Sequence, residues 1–207
     1  MACDGNDHRL LPNLKPLHLA ILTALATPTV PAAAQNATWQ GGTGNWNDTA
    51  QWDTGNVPSS ANDVLIDGGK TGTDSVANVN VSSAAGNLTI DTGDAVDINN
   101  ATTLSIHGAS ILNDGEIGIT STGGTTSLSI QGDTTLTGSG SVQMSNQTVN
   151  RIIGVTGSTL TQSANHSISG SGSIGGNFIG LDNAGVIEAV GSAGLTLNLR
   201  GTNDETR

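Results

Sequence analysis

The 207-residue sequence is poor in the residues that usually build a globular core. It contains three Trp, one Phe and no Tyr, so that aromatic residues make up 2% of the chain. Buried aromatic rings supply much of the apolar area of ordinary cores, at roughly 150–250 Å² each. The core must therefore be built from Val, Ile, Leu and Ala, which favours narrow layers of stacked aliphatic side chains.

Cysteine and positive charge are also scarce. Cys3 is the only cysteine, and six Lys and Arg stand against 17 Asp and Glu, which gives a formal net charge of −11. No Lys or Arg occurs between Lys70 and Arg151. Such an acidic surface repels phosphate backbones and anionic membranes, which argues against nucleic acid as a partner. Without cysteine pairs, stability must come from backbone hydrogen bonds and side-chain stacking.

Long hydrophobic runs are missing too. The longest, residues 17–26, is too short to cross a hydrocarbon core of roughly 30 Å. Basic residues precede this run and prolines and small residues follow it: His8, Arg9, Lys15, Pro28, Pro31 and residues 32–34. We interpret residues 1–34 as a secretory signal peptide that is cleaved after Ala34. Cys3 lies upstream of the run and is therefore not a lipoprotein cysteine. If the signal is removed rather than retained as an anchor, we expect a mature chain without cysteine and without a membrane span.

Short phrases recur along the rest of the chain. Residues 168–174 (ISGSGSI) repeat residues 136–142 (LTGSGSV), and residues 183–187 (NAGVI) repeat residues 113–117 (NDGEI). Aliphatic and small polar residues alternate, as in a strand with one buried face, and Gly, Asn or Asp follows at each turn. Strands of three to five residues that recur this often predict a solenoid rather than a disordered chain.

The predicted strands lie at the aliphatic pairs. They are residues 64–66, 77–81, 88–90, 96–98, 104–106, 117–119, 128–130, 152–155, 186–189 and 195–199, with shorter strands at Leu136, Val142, Leu160, Ile168 and Ile174. With three strands per turn, residues 70–200 should form about five to seven turns. No stretch of this region has the spacing of an amphipathic helix.

All three tryptophans fall between residues 39 and 52, at Trp39, Trp46 and Trp52. Gly, Asn, Asp and Pro are frequent in residues 35–69, which predicts turns before a first strand. Indole rings can form a platform for sugars, or they can close the end of a solenoid, whose first turn has no neighbour on one side. We favour the cap because Trp occurs nowhere else, and leave sugar binding open.

The pattern W-x-G-G-x-G-N-W-x₅-W-x₂-G-x₂-P-x₄-D-V-x-I, at residues 39–66, resembles the start of passenger regions in bacterial autotransporters and related surface β-helix (pectin-lyase-like) proteins. Residues 165–175 and 183–189 resemble the repeat of those passengers. The resemblance implies an all-β, right-handed parallel β-helix, with a Trp-rich cap over residues 35–69 and turns over residues 70–200.

The same resemblance implies a location. Autotransporter passengers are displayed on, or released from, the surface of Gram-negative bacteria, so we expect an outer-membrane or extracellular protein. Autotransporters end in an outer-membrane β-barrel, whereas this sequence ends in the polar residues 201–207. We therefore expect either a chain truncated before its barrel or a secreted relative.

Several motifs resemble binding sites for a dinucleotide, calcium or zinc, but none of them meets the requirements of such a site. Residues 170–175 match G-x-G-x-x-G, but no helix follows, as dinucleotide binding requires. Asp91, Asp94 and Asp97 are oxygen ligands of the kind that calcium prefers, but they match no calcium loop and are interpreted as acidic turn residues. His107 and His166 have no second His or Cys nearby for zinc. We predict no cofactor, metal or catalytic residue.

Two expectations concern side-chain placement. Asn113 and Asn183 head equivalent phrases, so we expect their amides to stack in a ladder. Ile174 and Ile187 should lie inside the coil, whereas Ser171, Ser173 and Glu188 should face solvent. The reason is that burying the unpaired charge of Glu188 would cost several kcal/mol, so its neighbour Ile187 must take the inner face.

Three function classes remain open. The first, which we favour, is an exported, non-enzymatic passenger, adhesin-like or structural, whose partner is a host or cell-surface carbohydrate or protein. The second is a polysaccharide lyase or hydrolase on the same fold. Arg151 has no acidic cluster near it, and Asp114 with Glu116 or Asp133 would need folding to bring the carboxylates within about 5–9.5 Å. The third is a calcium- or ice-binding module, for which the threonine pairs at 102–103, 125–126 and 134–135 are too irregular.

Overall fold

A computed structural model describes Met1, residues 35–66, Gly72 and residues 74–201. The chain divides into two compact units, Met1–Ala32 and Ala33–Arg207. The predicted signal peptide, its cleavage point after Ala34 and the polar residues 202–207 lie outside the described residues. The described part of the second unit contains twenty β-strands and one 3₁₀ helix, Thr49–Gln51.

The strands are three to five residues long, as the aliphatic spacing predicts. In chain order they are β1 Gln35–Thr38, β2 Thr43–Asn45, β3 Asn62–Ile66, β4 Val76–Val79, β5 Ser83–Ala85, β6 Leu88–Ile90, β7 Ala95–Asn99, β8 Thr103–Ile106, β9 Ser110–Asn113, β10 Glu116–Thr120, β11 Thr126–Ile130, β12 Thr134–Thr137, β13 Ser141–Met144, β14 Asn150–Gly154, β15 Thr159–Gln162, β16 Ser167–Gly170, β17 Gly172–Ile174, β18 Gly180–Asn183, β19 Val186–Ala189 and β20 Leu195–Leu197.

From β3 onward, every third strand joins the same parallel sheet. Sheet 1 has the order β1-β3-β6-β9-β12-β15-β18, sheet 2 has β2-β4-β7-β10-β13-β16-β19, and sheet 3 has β5-β8-β11-β14-β17-β20. The chain thus passes from sheet 1 to sheet 2 to sheet 3 in each of about six turns. The predicted parallel β-solenoid, with three strands per turn, is confirmed.

The core consists of aliphatic columns that run from turn to turn. In sheet 3, Leu104, Leu128, Ile152 and Ile174 occupy one register position on successive strands, and all four are fully buried. Sheet 2 carries a similar column: Ala77, Val96, Ile117, Val142, Ile168 and Ile187. Each buried Leu or Ile contributes about 1.5–3 kcal/mol by leaving water. The columns therefore replace the aromatic core that the chain lacks.

The tryptophans form the predicted cap. Trp39, Trp46 and Trp52 are 0, 0 and 2% exposed. The Trp52 ring packs edge-on against both others, at centroid distances of 5.0 and 4.9 Å. Its Nε1 donates to Trp46 O at 2.8 Å. Because all three rings are buried, none offers a face on which a sugar ring would stack.

The expected placement of side chains is confirmed in part. Ile174 is buried, Ile187 packs against the core and Glu188 is exposed. The expectation for Ser171 and Ser173 is wrong, since they are 0 and 9% exposed. Ser171 lies at the corner between β16 and β17, where its hydroxyl is 2.9 Å from Val190 O. Ser173 points outward, but the guanidinium of Arg151 on the neighbouring strand covers it, with Nη1 donating to Ser173 Oγ at 2.9 Å.

The recurring phrases do not all mark equivalent places. Register partners lie 19 residues apart at Val76 and Ala95 and 26 apart at Ser141 and Ser167. An offset of 32 residues is therefore one full turn plus the step from one sheet to the next. Residues 136–142 run from sheet 1 to sheet 2, whereas residues 168–174 run from sheet 2 to sheet 3. The 70-residue offset does connect equivalent places, because residues 113–117 and residues 183–187 both run from the end of a sheet 1 strand into a sheet 2 strand.

The expected asparagine ladder is wrong. Asn113 ends β9 and Asn183 ends β18, and β12 and β15 lie between these strands in sheet 1. Asn183 pairs instead with Gln162 of β15. Three turns separate the two asparagines, so their amides cannot stack.

Candidate functional site

The outer face of sheet 3 carries a groove, hereafter the sheet 3 groove. Side chains alternate along β14, so that Ile152 enters the core while Arg151 and Ile153 point outward. Ser173 of β17 and Thr196 of β20 follow Arg151 at the same register position. These outward side chains form the floor of a groove with a volume of about 500 Å³.

The corners of the coil form the two walls. One wall consists of residues that precede strands of sheet 3, and the other of residues that follow them: Thr125, Thr148 and Ala193 on the first wall, and Gly176, Phe178 and Asn198 on the second. The lining extends over four successive turns, and three spacings of about 4.8 Å make roughly 14 Å along the coil. The groove is therefore long enough for an extended ligand.

Asn150 fixes the wall at the entry to sheet 3. Its side chain is fully buried, and its Nδ2 lies 2.6 Å from Ser145 O and 3.0 Å from Ser171 O. Its Oδ1 accepts from Ser121 N at 3.3 Å. One amide thus connects the corners of three successive turns and holds the first residue of β14 beside Arg151. Sequence reasoning missed Asn150, because an asparagine next to a strand normally predicts a turn.

Phe178 stands at the opposite wall. It is the only phenylalanine of the chain, and 48% of it is exposed. Gly176 lies between it and Ile153 with φ +58°: a Cβ there would be 3.2 Å from Phe178 Cδ2 and 3.3 Å from Ile153 Cγ2. Glycine therefore lets the chain turn and keeps the space between the two apolar side chains open. Sequence reasoning missed Phe178, although a single phenylalanine outside the alternating phrases was a signal that could have drawn attention to it.

Arg151 is the one positively charged side chain in the lining, which contains no Asp or Glu. The Ser173 hydroxyl accepts the one guanidinium hydrogen bond found for Arg151 among the described residues. Among those described residues, no carboxylate forms an ion pair with Arg151. A guanidinium offers five N–H donors in a planar fork that matches a carboxylate. Arg151 lines the groove, and Ser173 accepts from only one of its nitrogens.

The carboxylates considered for hydrolysis serve the turns instead. Asp114 Oδ1 accepts from Ser139 N and Oγ at 2.8 and 3.0 Å, and Asp133 Oδ1 accepts from Thr159 N at 2.8 Å. Glu116 Oε2 accepts from Gln143 Nε2 at 2.8 Å. Each carboxylate bonds to the next turn of the coil, so these bonds link neighbouring turns.

Asp97 and Glu116 lie on the outer face of sheet 2. Burial raises the pKa of Asp97, and burial together with the negative charge of Asp97 raises the pKa of Glu116. Asp94 Oδ1 accepts from Ser75 N at 2.8 Å. Among the described residues, no three His, Cys, Asp or Glu side chains are grouped so as to hold a metal ion.

The two histidines considered for zinc differ in environment. His107 is exposed, whereas His166 is buried within the coil. His166 Nε2 lies 3.0 Å from Asn113 Nδ2, and Gln162 Nε2 donates to His166 O at 2.8 Å. Because the Asn113 amide nitrogen can only donate, this contact requires Nε2 to accept and Nδ1 to carry the proton, and Nδ1 has no hydrogen-bond partner among the described residues. Burial lowers the pKa of His166 to about 4, although the charge of Asp114 partly opposes this.

The comparisons with known proteins give no match: no family model, no curated protein and no solved structure is significantly similar to the chain. Strand register thus establishes the parallel β-solenoid, while the autotransporter resemblance rests on sequence phrases. Within the part of the chain that the structure describes, no helix is both long and apolar enough to cross a bilayer.

Proposed function

We propose that the chain is an exported, non-enzymatic β-solenoid that acts outside the cell as an adhesin-like or structural element. The observation that carries this proposal is a cysteine-free coil of about six turns, held by aliphatic columns and parallel ladders. Such a coil needs no disulfide and presents long polar faces. Its regular outer surface suits a protein whose task is to hold or present binding positions.

The sequence phrases add support for a passenger at the Gram-negative surface. The pattern of residues 39–66 places Trp39, Trp46 and Trp52 at the cap, and residues 165–175 lie in β16, β17 and the corners beside them. The features that resemble autotransporter passengers are thus the ones that build the coil. Its partner in this role is a carbohydrate or a protein of a host or cell surface.

A polysaccharide lyase or hydrolase has less support. Asp114 and Asp133 each accept a backbone N–H bond from the next turn. Arg151, the one Lys or Arg on a described strand, hydrogen-bonds to a serine, and no carboxylate partner is found for it among the described residues. None of these contacts places a lyase base beside acidic groups. Glu116 and Asp97 do lie near one another on sheet 2, but Glu116 accepts a hydrogen bond from Gln143 and is not a free carboxylate.

Export is tested by expressing the full chain in a Gram-negative host and determining the N-terminus of the accumulated protein by mass spectrometry. We expect a chain that begins at Gln35 and is accessible to protease on intact cells or found in the medium. A Leu22→Arg variant, which interrupts the apolar run, is the control and should retain Met1 inside the cell. A wild-type protein that retains Met1 and resists external protease would contradict the proposal.

A further inference from the structure

The sheet 3 groove differs in charge from the rest of this acidic chain. Seventeen Asp and Glu are present, yet none lines the groove, and Arg151 does. Asp94, Asp97 and Glu116 line a groove on sheet 2, and Asp63 lines one on sheet 1. A negatively charged ligand would therefore be repelled at those two grooves and attracted at the third.

Two buried serines lie beside Arg151 on the outer face of sheet 3, and one of them, Ser173, lines the groove. Ser127 and Ser173 flank Arg151 at the same register position on the neighbouring strands, and both point outward while remaining 2 and 9% exposed. Ser173 holds Nη1 of the guanidinium at 2.9 Å. This contact orients the fork and leaves its other donors for a ligand, which lowers the entropy lost on binding.

The remaining lining combines hydroxyl and amide groups with an apolar wall. Thr148, Thr196 and Asn198 supply hydrogen-bonding side chains, whereas Phe178 and Ile153 supply an exposed ring and an aliphatic surface. Hydroxyl-rich ligands with one apolar face, as in sugar rings, match such a lining. A short acidic peptide could also pair with Arg151, so it is included as an outcome of the test.

We propose that the sheet 3 groove binds a saccharide that carries a carboxylate, with Arg151 as the partner of the carboxylate and Phe178 as the surface for a sugar ring. This inference deepens the proposed function, on which it rests, by naming the partner class of the adhesin-like protein. The carboxylate accepts two parallel N–H bonds from the guanidinium, and hydroxyl groups along the ring bond to the threonine and asparagine side chains.

The test is a titration of the purified full chain, followed by NMR, with two carboxylated probes. They are 3′-sialyllactose and a hyaluronan tetrasaccharide, and their neutral controls are lactose and the same tetrasaccharide with its carboxylates reduced to alcohols. We expect a carboxylated probe to bind at least about tenfold more tightly than its neutral control, which corresponds to about 1.4 kcal/mol. Higher salt should weaken this binding.

Variants separate the groove from the general charge of the chain. Arg151→Gln and Phe178→Ala should each weaken the carboxylated probe at least fivefold, and Arg151→Lys should retain part of the affinity, because it keeps the charge but loses the fork. Arg200→Gln removes the same charge from an exposed position outside the lining and should leave affinity unchanged. Circular dichroism of every variant checks folding. If Arg151→Gln does not fold, the affinities of Arg151→Lys and Phe178→Ala test the proposal instead.

The proposal would be overturned by the absence of binding of either carboxylated probe, by equal binding of the neutral controls, or by wild-type affinity in the folded Arg151 and Phe178 variants. Arg151-dependent binding of an aspartate-rich peptide in place of both saccharides would also overturn it, in favour of a protein partner. Because the titration uses purified protein, it can fail while export succeeds. Likewise, a cytoplasmic protein that still binds the saccharide would contradict the proposed function alone.

Discussion

At the scale of single residues, the alternation along each strand decides whether a side chain stabilises the coil. Ile111 and its neighbour Leu112 share β9 and are similar in size, but Ile111 is fully buried while 38% of Leu112 is exposed. Ile111 stacks between Leu88 and Leu136 on the adjacent strands of sheet 1. The pair therefore isolates the effect of facing inward.

Ile111→Ala should lower the free energy of unfolding by about 2–5 kcal/mol, because it removes buried methyl groups and leaves a cavity in the column. Leu112→Ala, the matched control on the same strand, should cost about 0.5 kcal/mol, as is usual at a surface. Urea denaturation followed by circular dichroism measures both. Equal losses would show that β9 does not have the inward register described above.

His166 should make stability depend on pH. The folded-state pKa of about 4 lies below the ordinary value of 6.5, so between these pH values the unfolded chain binds a proton that the folded chain excludes. The stabilisation is complete above pH 6.5 and is lost as the pH falls to 4, in total about 3 kcal/mol by the usual 1.36 kcal/mol per pKa unit. Protonation of His166 at Nε2 would also place its N–H against the N–H donor of Asn113 Nδ2.

Unfolding free energies at several pH values between 6.5 and 4 test this for wild type and two variants. His166→Gln has no titrating ring and should lose about 3 kcal/mol less than wild type across this range. His107→Gln changes an exposed histidine and should retain the wild-type slope. Identical slopes in wild type and His166→Gln would show that His166 titrates alike in both states.

At the scale of elements, the two ends of the coil differ. The first turn contributes β1 to sheet 1 and β2 to sheet 2 but no strand to sheet 3. Three packed tryptophans and the 3₁₀ helix Thr49–Gln51 lie in this turn. At the other end, no described strand pairs with the outer edges of β18, β19 and β20. Val186 and Leu197 there are 58 and 52% exposed. The cap should therefore be the better protected of the two ends.

Trp52→Ala should destabilise the first turn by about 3–5 kcal/mol, since the ring is buried, packs edge-on against both other tryptophans and donates to Trp46 O. Trp52→Phe keeps an apolar ring without the N–H and should cost less. Hydrogen exchange of β1 to β4 measures the effect. Unchanged protection of these strands in Trp52→Ala would contradict a capping role.

The sequence predicted the strands that carry two or more aliphatic residues in alternation, such as Leu88–Ile90 and Val186–Ala189, whose bounds agree with the structure. It missed β1, β2, β5, β9 and β18. In β5 the only fully buried side chain is Ala85, and the extended form is imposed by pairing with Leu104 and Ile106 of β8. Such strands depend on their neighbours, so local pattern alone does not show them.

The sheet 3 groove was less accessible to sequence reasoning than the coil. The position of Arg151 inside the coil was evident, but its partners were not, because Ser173 and Thr196 come from later turns. The spacing between turns varies with the corners, so register cannot be counted along the chain. Phe178 joins Arg151 only through the fold of the corner after β17.

At the scale of the whole molecule, each strand bonds only to strands of adjacent turns. The stability of such a solenoid is approximately a sum over turns and the interfaces between them. A cavity in one turn should therefore weaken that turn and its neighbours, while distant turns keep their ladders. This local behaviour distinguishes a solenoid from a globular domain, in which a core defect is felt throughout.

Hydrogen exchange of the full chain carrying Ile174→Ala tests this most directly. Ile174 is fully buried in β17, between Ile152 and Leu197 of the adjacent strands. We expect faster exchange in β14, β17 and β20 and unchanged protection in β4, β7 and the tryptophan cap. Val155→Ala, at a position that is 43% exposed, should leave all strands protected. Equal loss of protection at both ends of the coil in Ile174→Ala would contradict the solenoid of neighbouring turns.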